Sequence, residues 1–239
     1  MSSLPANILF VTGTDTGVGK TYVCARLLEY ARANNIKAGY QKWLCSGSRE
    51  TVPEDLEYCL QAAGLPIDPQ LVSEQVVYSF RLPASPHLAA AMENREVDPE
   101  VIIKKCNSLA REYDWLIVEG IGGLLVPLRR DLLLADLLGQ LQPWTLLVAR
   151  SGLGTINHTL MSIEAMHSRR IPILGVVFSD AEQDENKTIV ADNRKIVQET
   201  THVEVFGRLP READPALARE EFGPVGRAIF KQLQQNFSG

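Results

Sequence analysis

Residues 13–21 read Gly13-Thr14-Asp15-Thr16-Gly17-Val18-Gly19-Lys20-Thr21, between an apolar run at 8–11 and an amphipathic segment that follows. Glycines at this density let consecutive backbone N–H groups converge on an anion, and a helix opening directly afterwards adds its positive end. Lys20 supplies a mobile positive charge for outer phosphates, and the Thr21 hydroxyl is placed to ligate Mg²⁺. The stretch is a phosphate-binding loop. It is a lengthened one, because Thr14 stands where the general pattern has glycine and Gly13 lies one residue further back.

Further along, Asp114-Trp115-Leu116-Ile117-Val118-Glu119-Gly120-Ile121-Gly122-Gly123 puts a carboxylate at the end of an apolar run. An acid there either completes a Mg²⁺ site beside the phosphates or caps a turn, and the glycines let backbone come close to a ligand. Lys42 follows the short run 38–40, within Gln41-Lys42-Trp43-Leu44-Cys45-Ser46-Gly47. It is either a solvated surface lysine or a second cation on the rim that carries Lys20, suited to a reaction in which negative charge builds up on a transferring group. Cys45 has no histidine partner nearby in sequence and reads as packing. Asp55 sits in Pro53-Glu54-Asp55-Leu56-Glu57, an acidic helix start, and spacing alone does not choose among its three acids as a metal ligand. Arg150-Ser151-Gly152-Leu153-Gly154-Thr155-Ile156-Asn157-His158 is either a second anion nest or an ordinary connection. The role of Pro83-Ala84-Ser85-Pro86-His87, a rigid loop entering a helix, is not set by its residue types.

The elements that must position these residues alternate. Strand-length apolar runs occur at 8–11, 38–40, 76–80, 115–118, 145–149, 173–178 and 203–206, with helix-like stretches between them, including 22–33 and 156–166. That alternation predicts an α/β fold with a parallel central sheet of about seven strands and helices on both faces. Runs without a polar side, such as Leu116-Ile117-Val118 and Leu146-Leu147-Val148, are those expected where both sides of a strand are covered. In such a sheet ligands collect beyond the carboxyl ends of the strands, which is where these residues stand. The 239 residues fit one domain, 1–239, and 180–187 reads as a loop. A net charge of -5 and a pI near 5.5 argue against bulk attraction to nucleic acid or an anionic membrane. No run is long enough to span a bilayer, and residues 1–7 lack the order of a signal peptide, so a cytoplasmic protein is expected. Cys24, Cys45, Cys59 and Cys106 show no metal-site or redox spacing, and reduced thiols are expected.

Taken together the motifs resemble the dethiobiotin synthase family over nearly the whole chain. The lengthened phosphate loop, Lys42 with Ser46-Gly47, Ser85-Pro86-His87, Glu119-Gly120 with Gly122-Gly123, and Gly154 with Ile156-Asn157-His158 are similar to that family's motifs and stand in its order. The resemblance implies a P-loop NTPase fold, a homodimer with sites at the subunit interface, and ATP and Mg²⁺ as cofactors. It implies the conversion of 7,8-diaminononanoate, CO₂ and ATP to dethiobiotin, ADP and phosphate. Carried onto this chain, it gives Lys42, Lys20, Thr16 and Ser46 catalytic roles. Residues Gly13, Thr14, Asp15, Thr16, Gly17, Val18, Gly19, Lys20 and Thr21, with Glu119, Gly122, Ser179, Asp180 and Pro210, would hold the nucleotide. Thr21, Asp55 and Glu119 would hold Mg²⁺, while Ser46, Asn193 and the partner's Gly154, Thr155, Ile156 and Asn157 would hold the substrate. The chain departs from the family pattern with Gln41 as an extra residue before Lys42, Trp43 for a common proline, and Ser179 for an asparagine that reads adenine. Two other classes share such a loop: amidoligases of the cobyrinate-synthesis type, which need a glutamine-hydrolysing domain, and partition or septum-positioning ATPases, which carry a lysine where this chain has Asp15.

Overall fold

The structure, a computed structural model, describes residues 3–180, 185–212 and 214–237. Its first strand, β1 (Ile8–Gly13), is buried at every position and lies in the middle of the sheet. It is followed by α1 (Lys20–Ala33), β2 (Ala38–Ser46), α2 (Glu54–Ala62), α3 (Val72–Gln75), β3 (Val76–Phe80), α4 (Pro86–Met92), α5 (Pro99–Ala110) and β4 (Trp115–Glu119). A short antiparallel pair, β5 (Pro127–Arg129) and β6 (Leu132–Leu133), leads into α6 (Leu134–Leu141). The chain then runs through β7 (Trp144–Arg150), α7 (Thr155–Ser168), β8 (Ile173–Ser179), α8 (Lys187–Thr201), β9 (Val205–Leu209) and α9 (Pro215–Phe237).

Seven strands form the main sheet in the order β3-β2-β4-β1-β7-β8-β9, and every pairing is parallel. The predicted parallel sheet with helices on both faces is the observed one. Side-chain alternation on β1 divides the core: Leu9 and Val11 point toward α1, α2 and α9, whereas Ile8 and Phe10 point toward α4, α5 and α6. Each Leu or Phe so buried contributes about 1.5–3 kcal/mol relative to exposure, which is what holds two helical layers on one sheet. A third cluster joins β7 and β8 to α7 and α8 through Leu147, Phe178, Ile163 and Val197.

Two strands differ from their sequence expectation. β2 does not stop at Tyr40; it continues to Ser46, so Lys42 lies within the strand and is buried rather than a solvated rim lysine. The last strand begins at Val205 and ends at Leu209, shifted from the apolar run at 203–206 because Arg208 is accommodated by an ion pair with Asp180. Of the expected loop 180–187, residues 181–184 lie outside the described residues, and α8 opens at Lys187 with the Asn186 side chain accepting from the Thr188 and Ile189 amides. All four cysteines are buried free thiols.

Candidate active site

Beyond the carboxyl ends of β1, β2, β4 and β8 lies a cleft of about 610 Å³. Its floor is the turn into α1. Gly19 caps that helix in the left-handed region at φ 95°, no side chain caps the first turn, and no acid stands in it, so the positive end of the helix is left for an anion. A Cβ on Gly19 would run into the Ser179 hydroxyl, so the turn needs glycine for its conformation and for the approach of β8. On the other flank, a Cβ at Gly123 would come within 3.1 Å of the Thr14 carbonyl, so the glycines after β4 let that loop press on the phosphate loop. The Lys20 ammonium folds back over the loop, donating to the Asp15 carbonyl at 3.0 Å, while the Asp15 carboxylate accepts from the Thr16 amide at 2.6 Å.

The chemistry concentrates where β2 meets β4. Parallel pairing places Lys42 beside Glu119. The Lys42 ammonium lies 2.5 Å from Glu119 Oε1 and 2.8 Å from Asp55 Oδ2. Thr21 Oγ1 sits 2.9 Å from Glu119 Oε1 and 3.1 Å from Asp55 Oδ1. From the remaining side Tyr40 donates its phenol hydrogen to Glu119 Oε2 at 2.7 Å. Glu119 and Tyr40 are fully buried, Lys42 is 5 % exposed, and the Asp55 side chain is one-third open to the cleft. Burial alone would pull the Lys42 ammonium down, but Glu119 and Asp55 outweigh it and hold it above the usual lysine range. Burial lowers Lys20 to about 8, with Glu119 opposing the shift and Lys42 reinforcing it. Asp55 would be raised by its own burial, yet Lys42 draws it below the usual carboxylate value. The Glu119 and Asp55 carboxylates close on one ammonium at contact distance, with Lys20 near enough to feel all three charges, and the site is lined by hard oxygens. Thr21, Asp55 and Glu119 are thus a donor set that fits Mg²⁺, and the uncapped loop with Lys20 fits a phosphate chain.

A family model described as an AAA domain matches residues 7–218. The chain is 38 % identical over 217 residues to the ATP-dependent dethiobiotin synthetase BioD of Anaeromyxobacter dehalogenans (strain 2CP-C), covering 91 % of this chain and 96 % of that protein. The chain belongs to the dethiobiotin synthetase family. Other members of that family include the BioD proteins of Rhodopseudomonas palustris (strain BisB5), 41 % identical over 86 % of both chains, and Methanococcus vannielii, 36 % identical over 84 % of this chain and 92 % of that one. Solved structures extend the likeness of this dethiobiotin synthetase family chain in fold alone. The MinC:MinD cell division protein complex of Aquifex aeolicus superposes with a TM-score of 0.58 at 15 % identity, covering 98 % of this chain and 97 % of that one. Apo McdA of Cyanthece also gives 0.58, at 14 % identity over 95 % and 99 %.

Of the residues singled out from sequence, Thr16, Gly17, Gly19, Lys20, Thr21, Lys42, Ser46, Asp55, Glu119, Gly122, Ser179 and Asp180 line the one cleft. Thr14, Asp15 and Val18 turn to a smaller cleft on the opposite flank of the loop, shared with Arg150, Gly154 and Thr155. Gly154 and Asn157 are exposed and stand outside the main cleft of their own chain. The Pro210 carbonyl lies 3.4 Å from the Tyr22 hydroxyl, at the edge of the site. Two candidates are engaged internally. The Asp180 carboxylate takes a two-pronged pair from Arg208, at 2.9 and 2.5 Å, and a short hydrogen bond from Ser151. The Asn193 amide donates to the Ser151 and Gly152 carbonyls at 2.8 and 3.1 Å, so it shapes the turn before α7 rather than facing the cleft. Tyr22, Tyr58, Arg211 and Glu212 also line the cleft, and Tyr40 is buried behind it, though none of them stands out in the sequence as a site residue. Only Tyr40 carried a signal: it stands two residues from Lys42, the spacing of one face of a strand.

Proposed function

We propose that the protein is an ATP-dependent dethiobiotin synthetase, one catalytic domain that joins 7,8-diaminononanoate to CO₂ and closes the product into the cyclic urea at the expense of ATP. The observation that carries this reading is the Lys42–Glu119–Asp55–Thr21 cluster set beside the phosphate loop, in a chain of this family. One substrate amine adds to CO₂ and loses a proton, giving a carbamate. A carbamate oxygen then attacks the γ-phosphorus and ADP departs. The second amine attacks the carbon of the resulting carbamic-phosphoric anhydride, phosphate leaves, and a second proton is released as the ring closes.

The chain's part is placement and charge, as is general for phosphoryl transfer. The amides of residues 13–21 and Lys20 hold the phosphates, with Thr16 at their outer edge. Lys42, with Ser46 further along the same strand on the cleft wall, meets the carbamate oxygen and the charge that accumulates as the phosphoryl group moves. Thr21, Asp55 and Glu119 hold Mg²⁺, which when bound neutralises charge on the phosphate oxygens. Ser179, Asp180 and Pro210 form the base side, Asp180 through backbone because its carboxylate is taken up by Arg208. The protein works as a cytoplasmic homodimer in which the turn and helix start at Gly154, Thr155, Ile156 and Asn157, exposed at Gly154 and Asn157, reach the partner's cleft and anchor the substrate carboxylate. Leu153, 91 % exposed, and Met161, 57 % exposed, on the same segment support that contact.

The reading is tested by incubating purified protein with Mg-ATP and bicarbonate, with and without 7,8-diaminononanoate. Phosphate release that depends on the diamine, together with a dethiobiotin mass, is the expected result. ATP hydrolysis indifferent to the diamine would reject it.

A further inference from the structure

Glu119 presents an asymmetry that the reaction alone does not require. Its carboxylate is fully buried, and its two oxygens have separate partners. Oε1 faces Lys42 and Thr21 at 2.5 and 2.9 Å, whereas Oε2 receives the Tyr40 hydroxyl at 2.7 Å. A carboxylate's terminal torsion is soft, so which oxygen faces the cleft is set by its partners and not by rotamer preference. The Tyr40 ring belongs to the apolar cluster beneath α1 and α2, where a phenylalanine would fill the same volume. Its hydroxyl, which also has the buried Cys59 thiol beside it, is therefore the part that apolar packing leaves unexplained. Left without that donor, Oε2 would be a buried charged oxygen with no hydroxyl or amide partner among the described residues, and the carboxylate would turn toward the available cations.

We propose that Tyr40 is a positioning residue for the metal-binding face of Glu119: by engaging Oε2 from the core side, its phenol fixes Oε1 toward Thr21 and Lys42. The placement comes from the strand itself. Tyr40 and Lys42 are two residues apart on one face of β2, and β4 runs alongside with Ile117 beside Tyr40 and Glu119 beside Lys42. The two side chains thus close on the same carboxylate from different directions, one as a neutral donor from the core and one as a cation from the cleft. The inference rests on the reading of Thr21, Asp55 and Glu119 as Mg²⁺ ligands.

The test uses Tyr40→Phe and Mn²⁺ as the metal probe, followed by electron paramagnetic resonance in the presence of a non-hydrolysable ATP analogue and without diamine. Loss of an outer partner of a metal ligand commonly weakens metal binding 10–100-fold. The expected result is a Mn²⁺ dissociation constant raised about tenfold in that range, with metal-free binding of the analogue unchanged. On a Glu119→Gln background, the Tyr40→Phe change should add no further loss, because the route through the carboxylate is already gone. Mn²⁺ affinity unaltered by Tyr40→Phe, or an equal further loss in the double variant, would overturn the proposal. If Tyr40→Phe does not fold, 3-fluorotyrosine at position 40 keeps the hydroxyl, and its ¹⁹F resonance must shift when Mg²⁺ and the analogue are added; a stationary line overturns the proposal. Failure of the wild-type protein to bind Mn²⁺ at all would reject the metal reading beneath it, a result distinct from a bound metal indifferent to Tyr40.

Discussion

Replacing Lys42 with methionine removes a charge while keeping most of the stem, and the structure sets the size of the response. The ammonium bridges Glu119 and Asp55 at 2.5 and 2.8 Å in a site where Lys42 is 5 % exposed. Without it, the Glu119 and Asp55 carboxylates that shared the ammonium face each other with no cation between them, a repulsion on the order of 3 kcal/mol at an effective dielectric of about 20. Breaking a buried charge cluster by removing one partner costs about 3–5 kcal/mol in general, and the lower end applies here because Asp55 is partly screened by water. For a domain of this size 1 kcal/mol corresponds to about 2–4 °C, so Lys42→Met should lower Tm by about 10 °C in metal-free buffer. Millimolar Mg²⁺ should return a large part of that loss in the variant and do much less for the wild type, since the cation restores the missing positive charge. Turnover should not return with it: losing a preorganised donor to a developing charge costs about 10²–10³-fold in kcat. The assay is thermal denaturation with and without Mg²⁺, paired with diamine-dependent phosphate release. An unchanged Tm in metal-free buffer would refute the buried cluster, and full turnover in the Mg²⁺-stabilised variant would remove Lys42 from the chemistry.

Cys45 gives a prediction in pH. Burial pushes its thiol up to about 11, with Asp55 reinforcing the shift and Lys42 opposing it. The thiolate is the reactive form, so at pH 8 about one part in a thousand is available, and alkylation should accelerate about tenfold for each pH unit from 8 to 10; a rate that levels off below pH 9 would contradict it. Asp180→Asn removes the charge that holds Arg208 and Ser151 together, and a destabilisation of about 2 kcal/mol is expected, below the range for fully buried pairs because Arg208 is partly open to water. The urea midpoint measures it, and a midpoint within error of wild type would show that the pair contributes nothing.

The sheet was legible because its strands are apolar on both sides and its helices are not, a contrast the chain states residue by residue. What was hidden follows one rule. The apolar run at 38–40 breaks at Gln41 and Lys42, so the sequence places an exit there, although the strand continues because the lysine is neutralised by two acids distant in the chain. Arg208 masks the end of β9 in the same way, with Asp180 as its partner. Charged residues inside strands look like boundaries until their counter-ions are known, and those come from other elements. Asp55 shows the converse. Its neighbours Glu54 and Glu57 carry the same charge, but both are exposed, and only Asp55 projects from the first turn of α2 toward Thr21 and Lys42. The phosphate loop needed no such partner because its function is written in consecutive residues.

In the proposed reaction this rim delivers a carbamate oxygen to the γ-phosphorus of ATP. That step is tested by running the reaction with ¹⁸O-labelled bicarbonate and reading the isotope content of the phosphate released. Label is expected in the phosphate, and only when 7,8-diaminononanoate is added. Unlabelled phosphate accompanying dethiobiotin formation would contradict it, because the phosphoryl group would then have passed to water and not to the carbamate.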